Sequence, residues 1–97
     1  MTVPKSFVMA GNRWTVRLRK KLPGYGLCDF DSHTIFIAEV LNGRPTTPEE
    51  RFKTFIHEAL HALEFTMGRK PDEAFVSAAE QLIFQGFRTA RGSHNEV

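Results

Sequence analysis

The sequence predicts a small α+β domain, a short antiparallel sheet followed by two antiparallel helices, and three observations carry that prediction. The stretch RWTVRLRK sets Trp14, Val16 and Leu18 against charged neighbours, the period-two pattern of a half-buried strand. The run TIFIA, residues 34–38, is rich in the β-branched and aromatic residues that strands prefer. From Thr47 onward, apolar residues recur at helical spacing behind an explicit helix start.

Taken in order, LPGYG turns the chain after the first strand. Two short extended runs follow, Cys28 to Phe30 and Thr34 to Ala38, joined by DSH as a tight hairpin connection, so the sheet falls at about residues 12–40. NGRPTTP has loop chemistry. Thr47 caps the next element, Pro48 fills the first helical position where a missing amide costs nothing, and Glu50 completes a capping box. This helix is expected over residues 48–67, with Gly68 ending it. A second helix is expected over residues 71–88, with Asp72 and Glu73 in a first turn whose dipole favours acids. Residues 89–97 lack periodicity and read as a tail.

Composition narrows the function classes. The 97 residues make one domain without repeats, and 41% hydrophobic with 25% charged residues describes a globular chain rather than a disordered or membrane-spanning one. The apolar run from Phe7 to Ala10 is too short for a signal peptide, which predicts a cytoplasmic protein. A single cysteine, Cys28, excludes an internal disulfide and reads as a packed thiol. The net charge is +2, and RLRKK reads as a solvated strand edge and turn, so nucleic acid is not the expected partner. A monomer is the simplest expectation, although the phenylalanines of the second helix exceed what one small core needs.

The chemistry lies in TFIHEALHALEF. At about 100° per residue, Phe52, Phe55, Ile56, Ala59, Leu60, Leu63 and Met67 form one apolar sector, and His57, His61 and Glu64 leave the opposite side. The two imidazoles stand one turn apart and converge on one point, with Glu58 to the side. Two neutral imidazoles plus one further ligand are what a catalytic zinc takes, its fourth place being left to water, and a neighbouring carboxylate can act as base. H-E-x-x-H supplies two ligands, His57 and His61, and the base, Glu58. The competing reading is a solvated polar stripe.

A third ligand must come from Glu64, Glu73, Glu80, His33 or His94. An antiparallel second helix comes level with the histidines near residues 77–81, which favours Glu80, a carboxylate flanked by Val76, Ile83, Phe84 and Phe87 and therefore needing a metal or an arginine. Glu73 is the alternative, with a simpler role as a first-turn acid. Glu64, a turn beyond His61, suits an outer role better than ligation. A metzincin would have glycine and histidine where this chain has Glu64 and Met67, and that class is excluded.

The order of a sheet ending in TIFIA, a capped helix with FIHEALHALEF, a tight turn and the helix PDEAFVSAAEQLIFQGF resembles the minimal zincin domains of phage and prophage metallopeptidase-like proteins. The resemblance covers residues 24–88, and His57, Glu58 and His61 are its specific part. It implies a gluzincin-like zinc site of His57, His61 and Glu80 with Glu58 as general base. It also implies that HTIFIA lines the cleft, with Ile35, Phe36 and Ile37 contacting a peptide or protein substrate laid along that strand as an edge. The chain departs from large gluzincins in its short interval to the third ligand and in lacking a downstream tyrosine or histidine for the oxyanion, a part for which Tyr25, His33 and His94 are candidates. Two functions follow: a zinc-dependent peptidase, and a zinc-stabilised binding module with little turnover.

Overall fold

The computed structural model describes residues 2–94. The chain opens with a hairpin that the sequence did not announce as one: β1 (Ser6–Met9) pairs antiparallel with β2 (Asn12–Arg19), setting Phe7 opposite Trp14. The connecting Ala10 and Gly11 have φ of 50° and 79°. Two successive positive φ values give a turn whose twist matches that of the paired strands.

β3 (Gly26–Asp29) and β4 (Thr34–Ala38) form the expected antiparallel hairpin, although β3 begins and ends earlier than Cys28 to Phe30. Asp29 closes the loop by accepting the N–H groups of Asp31 and Ser32 on Oδ1, at 3.1 and 3.4 Å. The strand order is β1-β2-β4-β3, and β2 pairs with β4 in parallel. The sheet is therefore mixed, not antiparallel throughout, and TIFIA is an inner strand, not an edge. Its composition explains the placement: Ile35 and Ile37 are buried on one face and Thr34 and Ala38 on the other, where Phe36 lies under the Arg19 guanidinium at 3.9 Å. Strands covered on both faces read as continuous apolar runs and occupy sheet centres.

The loop expected at NGRPTTP contains a further small hairpin, β5 (Val40–Leu41) with β6 (Arg44–Pro45), turning on Asn42 and Gly43 at φ 53° and 78°. Asn-Gly is the strongest two-residue hairpin signal, and it outweighs the loop composition around it.

α1 (Pro48–Thr66) starts as predicted. Thr47 Oγ1 accepts the N–H of Glu50 at 3.1 Å, and Glu50 Oε1 accepts the N–H of Thr47 at 2.9 Å. Gly68, at φ 71°, ends it. α2 (Glu73–Thr89) begins two residues later than expected, because Asp72 is its cap, accepting the N–H of Phe75 at 3.0 Å, rather than a first-turn acid. Glu73 thereby becomes the first residue of the helix.

Trp14, Ile35, Ile37 and Ala62 form the buried cluster where α1 crosses the sheet. Each large member contributes about 1.5–3 kcal/mol relative to exposure. α1 packs on β3 and β4, and α2 packs on α1. Among the described residues, no helix is long and apolar enough to cross a membrane.

Candidate metal centre

The site is built where α1, the start of α2 and the free side of β3 meet. Gly26 makes that meeting close: a Cβ at this position would lie 2.5 Å from Thr54 Cγ2 and 3.1 Å from Glu58 Cγ. Only glycine lets the edge strand approach the helix here. Residues Gly26, Leu27 and Cys28 of β3 consequently line one wall of a cleft of about 760 Å³, and His57, Glu58, His61, Glu73 and Glu80 line the other. Ile35 and Ile37 are 0% and 1% exposed, with Phe36 under Arg19, so the wall assigned to residues 35–37 is supplied by β3 instead.

His57 and His61 leave α1 together, their ring centroids 5.0 Å apart. Both turn Nε2 toward one carboxylate. Glu73 Oε1 lies 2.6 Å from Nε2 of His57, and Oε2 lies 2.9 Å from Nε2 of His61. The outer nitrogens are also taken: Nδ1 of His57 meets Glu80 at 2.9 Å, and Nδ1 of His61 meets Glu64 at 2.8 Å. Ligand atoms of His57, His61 and Glu73 all fall within 4.8 Å of one another, so among the described residues these three form a group able to hold a metal ion.

The favoured third residue thus changes from Glu80 to Glu73. Glu80 does come level with His57, as the helix-length argument required, but on the outward-facing ring nitrogen. Glu73 stands at the open end of α2, where its side chain is 69% exposed and reaches across to both inner nitrogens. Helical level alone does not specify which imidazole nitrogen a carboxylate meets. Glu64 lies on Nδ1 of His61, and its second oxygen accepts the N–H of Asp72 at 2.9 Å.

Of the remaining candidates, Tyr25 lines the cleft and donates its hydroxyl to Glu50 at 3.2 Å. Arg44 completes that cluster and, with the Thr47 N–H, holds the Glu50 carboxyl down at about 2. His33 packs against Trp14, with ring centroids 4.7 Å apart, and His94 is exposed.

The electrostatics suit a cation. Glu58, Glu64, Glu73 and Glu80 surround two imidazoles in a chain whose overall charge is +2. His57 stands between Glu80 on Nδ1 and Glu73 on Nε2. For His57, burial pulls the pKa down, but the Glu80 hydrogen bond and the charges of Glu58 and Glu73 prevail and raise it. His57, His61 and Glu73 would hold a divalent ion, whose charge would offset the surrounding carboxylates, and Glu80 and Glu64 on the Nδ1 atoms would leave each Nε2 to ligate. The donor set therefore fits such an ion. Glu58, 8% exposed, has its pKa raised, first by burial. Cys28 is pushed up to about 12 by burial and by the nearby Glu58 and Asp29 charges.

The cleft wall formed by β3 escaped the sequence reading. Gly26, a glycine beside an extended run, was the one available sign of a close backbone approach. No protein-family model, curated protein or solved structure matches the chain.

Proposed function

We propose that this chain is a zinc-dependent, gluzincin-like metallopeptidase of the minimal phage or prophage type, acting in the cytoplasm on a peptide or protein. One observation carries the reading: two H-E-x-x-H imidazoles and Glu73 converge on one point, with the buried Glu58 beside them in an open cleft. His57, His61 and Glu73 would hold the ion. Zinc supplies Lewis acidity there, polarising a carbonyl and acidifying water.

The chain's own residues do the rest. Glu58 has a raised proton affinity, which matches a base that takes a proton from the attacking water and passes it to the leaving amine. An extended peptide pairs with the free edge of β3 by β-augmentation, which brings its backbone past His57 and Glu58. Tyr25, in the cleft wall, would turn its hydroxyl from Glu50 to the developing oxyanion.

A second reading, a zinc-stabilised binding module with little turnover, is favoured by one observation. The Tyr25 hydroxyl is already committed to Glu50, and small domains draw folding energy directly from a metal.

Cleavage of a denatured peptide library by the zinc-loaded protein and by Glu58→Gln separates the two. The peptidase reading expects cleavage by the wild type and its loss in the variant, with zinc still bound. Zinc binding without wild-type cleavage leaves the binding module.

A further inference from the structure

Helix α2 carries more apolar surface than the fold covers. Val76 and Phe84 face α1 and are buried, whereas Phe75 and Leu82 are 55% and 69% exposed. At about 100° per residue, Phe75, Ala79, Leu82 and Gly86 fall in one seam about 60° wide, turned well away from the inward face. Large and small residues alternate along it.

We propose that this seam is the interface of a homodimer in which α2 packs antiparallel against α2 of a second copy. The order of the four residues is its own complement. A two-fold axis crossing the helix between Glu80 and Gln81 brings Phe75 level with the partner's Gly86, and Leu82 level with the partner's Ala79. Each large side chain then meets a small one at both ends, the self-matching that an isologous contact requires. Small residues at those levels let the helices approach closely.

Gly86 is the independent sign. A Cβ at Gly86 would meet nothing within 4 Å among the described residues, so they give no reason for a glycine there. In an exposed helix interior, glycine costs about 1 kcal/mol relative to alanine. The partner's Phe75 ring supplies the reason.

The area sets the strength. With Ile83, 37% exposed, beside the seam, and Phe87 turned toward Phe52 of α1, the face offers on the order of 400 Å² per copy, or about 800 Å² in all, the size of a weak, transient contact. Gln81, Gln85 and Arg88 supply a polar rim on one flank. A single cation on that flank is far from the basic face of a membrane-surface helix, which favours a second copy over a lipid surface. The proposal stands apart from the metal site, and its outcome does not depend on zinc.

Sedimentation equilibrium from about 1 μM to about 1 mM tests it. The wild type is expected to rise from the 11.1 kDa of one chain toward twice that mass. Leu82→Glu, at an exposed position, should keep the wild-type circular dichroism spectrum and remain a single chain throughout. In a Cys28→Ser background, Ala79→Cys mixed with Leu82→Cys should oxidise to a covalent dimer faster than Phe75→Cys mixed with Ala79→Cys, which lies out of register. A wild type that stays at the single-chain mass overturns the proposal. So does assembly beyond two chains, association undiminished in Leu82→Glu, or cross-linking without preference for the matched pair.

Discussion

Glu64 ties His61 to the start of the next helix: one carboxylate oxygen meets Nδ1 of His61 at 2.8 Å, and the other accepts the N–H of Asp72 at 2.9 Å. The residue that orients the imidazole therefore also places the helix that begins with Glu73. Glu64→Ala leaves the buried Nδ1 of His61 without its partner, a loss of about 1–3 kcal/mol, and takes the acceptor from the less buried N–H of Asp72. Thermal denaturation should show that loss in the zinc-free protein. Glu64→Gln keeps an acceptor for Asp72 and should retain most of the stability, while zinc affinity falls about 10–100-fold as the carboxylate charge beside His61 is removed. Equal stability in wild type and Glu64→Ala would contradict this role.

Glu73 and Glu80 should separate cleanly in zinc titrations. Glu73→Ala removes a proposed ligand and should abolish tight binding. Glu80→Ala removes the partner of His57 Nδ1 and should weaken binding by about 10–100-fold while leaving one site per chain. The reverse ranking would return the third position to Glu80.

The sequence was most informative where local chemistry dictates structure. Thr47, Pro48 and Glu50 located the start of α1 to the residue, because a capping box is satisfied within four residues. The convergence of His57 and His61 followed from helical spacing alone. What could not be read was set by long-range pairing: β4 sits between β2 and β3 because its burial on both faces demands it, and no local pattern states a strand order. The same limit moved the cleft wall from residues 35–37 to Gly26–Cys28. That Glu73 reaches both Nε2 atoms from the first residue of α2 depends on how α2 meets α1, which no local pattern states.

Ion-free and zinc-loaded protein should respond to pH with opposite signs. Glu58 and His57 both have folded-state pKa values raised above their ordinary values of 4.5 and 6.5. The folded chain thus binds these protons more tightly than the unfolded one, so the stabilisation is complete below the ordinary values and is lost as pH rises through the raised ones. As pH rises above those ordinary values the chelated protein should become less stable, while zinc binding strengthens as protons cease to compete. Melting with and without chelator across that range should show a widening gap, and a constant gap would contradict the shared site.

Cys28 lines the cleft, yet its pKa of about 12 keeps it a thiol near neutrality. Since the thiolate is the reactive form, alkylation at pH 8 should be slow in the folded protein and rapid in denaturant. Rapid labelling of the folded chain would show that the thiol is neither buried nor held beside the Glu58 charge. Gly26→Ala, which drives a Cβ toward Thr54 and Glu58, should open this region and speed the reaction.

The most direct test of the central claim is the zinc X-ray absorption spectrum of the protein carrying one equivalent of metal. His57, His61 and Glu73 as ligands predict nitrogen and oxygen scatterers at about 2.0–2.2 Å, with the multiple scattering of two imidazoles. A sulfur scatterer at about 2.3 Å, which would draw in Cys28, or the signature of fewer than two imidazoles, would contradict it.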